Sequence, residues 1–99
     1  MQFVALDFET ANYSPNSACA IGVVQVRDGE ITARAHHLIR PPTGRFTFTH
    51  IHGITPADVQ TAERFPAVWK QLAPLLDTAD FFAAHNASFD ARVLRACCE

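Results

Sequence analysis

The sequence predicts an α/β fold: a mixed sheet, made of a three-stranded antiparallel meander plus one parallel strand, with helices packed on it. Three observations carry this. Asp28-Gly29 sits between two strand-like runs, a strong signal for a two-residue hairpin. A helically spaced apolar stripe from Phe65 to Leu76 separates those strands from a further short apolar run, Asp80 to His85. A strand–helix–strand–helix order after a hairpin implies that the last strand joins the sheet in parallel.

Phe3 to Phe8 is mostly apolar without alternation, as expected of a central strand buried on both faces. Ala18 to Arg27 is the second strand. Glu30 to Ile39 is the third, with Ile31, Ala33, Ala35, His37 and Ile39 on one face and Thr32, Arg34, His36 and Leu38 on the other. That alternation fits a half-exposed outer strand. Pro41-Pro42-Thr43-Gly44 then breaks the chain. The loop to Gly53 carries an unusual density of aromatic and imidazole groups: Phe46, Phe48, His50 and His52, with Arg45 beside them. Thr55-Pro56 predicts a helix start, with Thr as cap and Pro in the first turn. Phe65, Val68, Trp69, Leu72, Leu75 and Leu76 make one buried stripe, so Trp69 and Phe65 are read as core. Pro66 suits a first turn, whereas Pro74 is expected to kink or end the helix. Ser88 is expected to cap a final helix bearing Phe89, Val93, Leu94 and Cys97. The first and fourth strands should be parallel neighbours, joined through the helix by a right-handed crossover.

With 99 residues and 48% hydrophobic content, the chain has material for one small globular domain, without repeats or internal linkers. No apolar stretch approaches the roughly 20 residues of a membrane-spanning helix. The apolar N-terminus has no basic segment ahead of it, so a soluble, cytoplasmic protein is expected, with no membrane partner. Cys19, Cys97 and Cys98 form no Cys-x-x-Cys pair, which fits a reducing compartment. A net charge of −2 argues against a broad basic face but not against an enzyme that acts at one strand end, which needs few phosphate contacts.

The chemistry-bearing residues are acidic. Strand side chains repeat every two residues, so Asp7 and Glu9 point to the same side while Phe8 points into the apolar layer. If the fourth strand lies beside the first, Asp90 at the start of the last helix reaches the same crevice, beyond the carboxyl ends of the strands. Three such carboxylates repel one another, and Mg²⁺ or Mn²⁺ would relieve that repulsion. Metal-assisted phosphodiester hydrolysis is the reaction this suggests. Each part also has a plainer reading: Asp-x-Glu as a solvated strand end, and Asp90 as a favourable charge at a helix N-terminus. His50 and His52 lack the third ligand of a zinc site, and neither a Gly-rich phosphate loop nor a serine-nucleophile elbow occurs.

Four segments sharpen the choice: DFETAN (Asp7 to Asn12), AIG (Ala20 to Gly22), IHGIT (Ile51 to Thr55) and HNASFD (His85 to Asp90). Their order and spacing resemble those of the DEDD (DnaQ-like) superfamily of 3′–5′ exonucleases, over essentially the whole chain. Within it the chain looks most like the proofreading epsilon subunits of DNA polymerase III, with RNase T and oligoribonuclease as relatives. The resemblance implies a ribonuclease H-like fold and a two-metal site of Mg²⁺ or Mn²⁺. It places Asp7 across both metals, Glu9 on the metal that holds the attacking water, and Asp90 on the second. It also implies that His52, Ile54, Phe8 and Thr10 lie against the terminal nucleotide and that Asn86 braces the site. His85 is expected to pack at a strand end.

The family pattern also carries a later histidine, the general base, and a fourth metal-binding aspartate. Ala91 to Glu99 offer neither, and Glu99 lies more than two helical turns past Asp90. Loss of a general base alone costs about 10²–10⁴ in rate. Residues 1–99 are therefore expected to be the N-terminal part of an exonuclease domain, truncated at the C-terminus and inactive or nearly so alone. The expected partner is a single-stranded or frayed 3′ end of DNA or RNA, with DNA polymerase subunits as protein partners. An open sheet edge is expected to make the fragment self-associate. Two other readings stay open: a non-catalytic nuclease-like binding module, and an exoribonuclease of the same superfamily.

Overall fold

A computed structural model describes all of residues 1–99. Seven elements follow in order: β1 (Gln2–Thr10), β2 (Ala18–Arg27), β3 (Glu30–Leu38), α1 (Thr49–His52), α2 (Phe65–Leu76), β4 (Phe81–Ala83) and α3 (Ala87–Cys98). The sheet runs β3-β2-β1-β4, with the first three strands antiparallel and β4 parallel to β1. This is the mixed sheet that the hairpin signal and the helix–strand order predict. The hairpin turn uses positive φ at both Asp28 (50°) and Gly29 (83°), the backbone that suits an Asp-Gly pair and matches the twist of the flanking strands.

Pairing partners define the two faces of the sheet. Val4, Leu6 and Phe8 of β1, with Ile21 and Val23 of β2, face the helices and join Phe65, Val68, Leu72, Leu76 and Val93 in one twelve-residue core. The other face is only half-covered, and Asp7 on it is exposed. The expected burial of β1 on both faces is therefore corrected: the chain supplies helices to one side only. A second, smaller core of Ala11, Cys19 and Val59 sits under the loop that follows β3, with Phe46 and Ile54 against it. No helix is long and apolar enough to cross a membrane.

Other expectations shift locally. Between Gln25 and Val26 the β2–β3 register slips by one, with Thr32 the extra residue of β3. The slip puts Ile31 out of phase with Ala33 and Ala35 and leaves it 53% exposed. Thr55-Pro56 does not start a helix. Thr55 and Asp58 instead close a turn on each other: Asp58 Oδ2 accepts from the Thr55 amide at 2.9 Å and Thr55 Oγ1 from the Asp58 amide at 3.3 Å. Only Val59 in the following segment is buried, so no apolar stripe exists to propagate a helix. The helix begins at Phe65 with Pro66 in its first turn and ends two residues past Pro74. The fourth strand is shorter than Asp80 to His85. Ser88 does not cap α3; Asn86 is the N-cap residue, and the Ser88 hydroxyl donates to Asn86 Oδ1 at 3.2 Å.

Candidate active site

Asp7 and Glu9 lie on the open face of β1, near its carboxyl end. Asp90 reaches the same strand from α3. Its Oδ1 accepts a hydrogen bond from the Phe8 amide at 3.0 Å, so the third acid is anchored to the residue between the other two. The bond exists because β4 pairs only with Phe3–Ala5 of β1. Past that point the edge of β1 is free, and the first turn of α3 takes the place of a neighbouring strand.

Asp90 is 5% exposed. Burial raises its pKa above the ordinary carboxylate value; the Phe8 hydrogen bond opposes this, and the negative charge of Asp7 adds to the rise. Asp7 and Asp90 thus feel each other, while one Asp90 oxygen is still uncommitted. No three His, Cys, Asp or Glu side chains converge tightly enough to make a finished metal cage. The donor set itself, hard carboxylate oxygens with unrelieved repulsion, fits Mg²⁺ or Mn²⁺.

The loop beside this strand end is held by His52. Its Nε2–H donates to the Thr10 carbonyl at 2.9 Å, and its Nδ1 accepts from the Ile54 amide at 3.0 Å. These bonds assign the Nε2–H tautomer, with both ring nitrogens in use. Gly53 adopts φ 78°, the left-handed turn that lets the chain double back so that residue 54 meets residue 52. Cys19, the extra residue where the β1–β2 register slips, lies 3.9 Å from His52 Nε2. Burial, with the Glu9 charge adding to it, pushes its thiol up to about 11, so it serves as packing and not as a nucleophile.

The residues that the resemblance assigns to the nucleotide are placed as follows. The Phe8 side chain is 2% exposed and its amide is spent on Asp90; Thr10 is 6% exposed and its carbonyl is spent on His52. Ile54 is half-buried against the smaller core, and Asn86 is exposed at the start of α3. The open face also brings up groups that sequence reasoning did not assign to the site. A concavity of about 700 Å³ lies beside Asp7, floored by Ala5, Gly22, Val24 and Ala83 and bordered by Arg34, His36 and His85. His85 is thus exposed beside Asp7 and not packed away. Tyr13, 83% exposed, stands edge-on to Phe48 with ring centroids 4.7 Å apart. Strand alternation puts Arg34 and His36 on one face, but only the pairing register puts that face next to Asp7.

Comparison with known proteins identifies the family and the fold. The RNase T exonuclease family model matches residues 4–98. A PolC-type DNA polymerase III of Thermotoga petrophila is 34% identical over 96 residues, covering 94% of this chain and 7% of that protein. The 3′-5′ exonuclease DinG of Bacillus subtilis is 34% identical over 93 residues, covering 90% of this chain and 10% of that protein. Among solved structures, exonuclease X in complex with 5′-overhanging duplex DNA superposes with a TM-score of 0.79 at 32% identity, over 92% of this chain and 52% of that one. A full-length 3′-exonuclease matches in fold with the same TM-score at 21% identity, over 98% of this chain and 38% of that one. The chain therefore spans a small part of its curated relatives and about half of a solved one. By its family model, relatives and ribonuclease H-like fold, this chain belongs to the RNase T exonuclease family of the DEDD superfamily.

Proposed function

We propose that this chain carries the metal-binding part of a 3′–5′ exonuclease site that hydrolyses the terminal phosphodiester of DNA. The observation that supports this best is the Asp90–Phe8 hydrogen bond, which brings a third acid to a strand already bearing Asp7 and Glu9. Asp7, Glu9 and the free oxygen of Asp90 would hold Mg²⁺ or Mn²⁺. When bound, such ions acidify water and stabilise charge on a leaving oxygen. The protein's own contribution is placement. β1 fixes two carboxylates on one face, the Phe8 amide orients the third, and His52 ties the neighbouring loop to the strand end.

The PolC-type relatives favour DNA over RNA and support a polymerase as partner, in the manner of a proofreading subunit. We also propose that residues 1–99 are the N-terminal part of the exonuclease domain, with slow turnover alone. His52 has no free nitrogen with which to act as a general base. Calorimetric titration with Mn²⁺ tests the site: the chain binds Mn²⁺, and Asp7→Ala abolishes the heat. A 5′-labelled oligonucleotide tests the direction, with weak Mn²⁺-dependent shortening from the 3′ end that Asp7→Ala removes. Metal binding indifferent to Asp7, or shortening from the 5′ end, would sink the reading.

A further inference from the structure

The molecule contains one ion pair, between the N-terminal amine and Asp28. Its arginines are therefore without carboxylate partners, and two of them share a groove. Arg40 and Arg64 line a depression of about 360 Å³, together with Pro41, Pro42, Thr43 and Phe46, and no aspartate or glutamate lines it. Both guanidinium groups are oriented by backbone. Arg64 Nη1 donates to the Pro41 carbonyl at 3.0 Å, and Arg40 Nη1 to the Gln60 carbonyl at 3.4 Å. A guanidinium has five N–H donors, so each retains most of its donors for a ligand. The adjacent Glu63 contributes only its carbonyl, which accepts from the Arg40 amide at 2.9 Å. Two oriented guanidinium groups without a counter-charge, in a chain of net charge −2, are suited to phosphate oxygens.

The loop that lines the groove is tied by hydrogen bonds to the residues just after β1. The Arg45 carbonyl accepts from Asn12 Nδ2 at 2.9 Å, and the amides of Thr47 and Phe48 both donate to the Ala11 carbonyl, at 2.7 and 3.1 Å. Phe46 and Val59, which line the groove, also pack with Ala11 and Cys19 in the smaller core. One layer of side chains thus separates the groove from the surroundings of Glu9.

We propose that the Arg40–Arg64 groove is a phosphate subsite for the backbone of a nucleic-acid strand whose end lies at Asp7 and Glu9. This rests on the exonuclease reading, which supplies the strand. The site takes phosphodiester groups without regard to base, and it is separate from the metal-binding carboxylates.

The test is fluorescence anisotropy of a phosphorothioate-linked single-stranded oligodeoxynucleotide in EDTA, across a KCl series. The double variant Arg40→Gln/Arg64→Gln should bind more weakly, with a log–log salt slope shallower by about 1.4, two contacts at roughly 0.7 each for a single strand. Arg40→Lys/Arg64→Lys should restore the slope, which a purely structural role would not allow. Arg92→Gln/Arg95→Gln on α3 should leave it unchanged. Inorganic phosphate at matched ionic strength should displace little oligonucleotide; full displacement would mark a site for free phosphate and overturn the strand assignment. An unchanged slope in the Gln pair, an equal loss in the α3 pair, or no binding by the wild-type chain would also overturn it. The carboxylate site is read separately by the Mn²⁺ titration, so a failure of the groove assignment is distinguishable from a failure of the exonuclease reading.

Discussion

Asp90 links stability to chemistry, and its substitution by Asn and by Ala separates the two. In the folded chain its pKa lies above the ordinary value of 3.8, from burial first and the charge of Asp7 next, against the stabilising Phe8 hydrogen bond. A raised pKa means the folded state holds the proton more tightly than the unfolded state. Stability from this group is fully present below about 3.8 and is lost as pH rises through the folded value. At pH 7 without metal, the ionised carboxylate is therefore a net cost. Asp90→Asn removes the charge and keeps an acceptor for the Phe8 amide 3.0 Å away, so it should melt above wild type in EDTA at pH 7. That advantage should shrink as pH falls toward 3.8. Asp90→Ala leaves a buried N–H without a partner, which costs about 1–3 kcal/mol. At about 4–8 °C per kcal/mol for a domain of this size, it should melt at least several degrees below wild type. Saturating Mn²⁺ should reverse part of the order: a ligand at 100 times its Kd adds about 2.7 kcal/mol, and the wild type should take most of it. Circular-dichroism melts with EDTA and with Mn²⁺ provide the assay. If Asn melts below wild type in EDTA, Asp90 is not a strained charge; if Mn²⁺ raises all three proteins equally, it is not a ligand.

His52→Ala should orphan the Thr10 carbonyl and the Ile54 amide, lowering stability by about 1–3 kcal/mol and speeding hydrogen exchange at Ile54 more than at residues of α2. Unaltered exchange at Ile54 would mean the imidazole is not the latch. Thiol labelling at pH 8, followed by peptide mass spectrometry, should modify the exposed Cys98 first and leave Cys19, buried and pushed up to about 11, unlabelled until the chain unfolds. The free edge of β4, with Phe81 and Phe82 46% and 48% exposed, should make the chain associate with itself. Light scattering should show a concentration-dependent mass that Phe81→Lys reduces, and a strict monomer at high concentration would contradict this.

The parts of the fold legible in the sequence are those set by local signals of adequate length. Asp28-Gly29 specifies a turn because its backbone conformation suits few other pairs. The α2 stripe is legible because Phe65, Val68, Leu72 and Leu76 recur at helical spacing and are all buried. Short or competing signals mislead. Thr55-Pro56 looks like a helix start, yet Thr55 and Asp58 satisfy each other and only Val59 of the segment that follows is buried, too little to extend a helix. The four-residue α1 has no buried residue and so no pattern to read. At the site, Asp7 and Glu9 share a face by strand periodicity alone. The state of His52 was not legible, because its partners, Thr10 and Ile54, meet it only through the loop's path. Arg40 and Arg64 likewise come together only because the turns after Thr55 bring the start of α2 back to the end of β3.

The length of β4 ties these observations together. Had it paired along all of β1, the Phe8 amide edge would face a fourth strand, and Asp90 would have no route to Asp7. Because β4 stops opposite Ala5, the last half of β1 is flanked on that side by the first turn of α3. The same ending leaves an open edge that favours association and a notch where three acids approach. A buried, repelling carboxylate is costly to an empty protein and useful to one that binds a cation. The stability lost at Asp90 and the proposed metal affinity therefore have one structural origin. Extending β4 pairing beyond Ala5, by any substitution that does so, should raise the melting temperature in EDTA and weaken Mn²⁺ binding together; a variant that gains one without losing the other would break the connection.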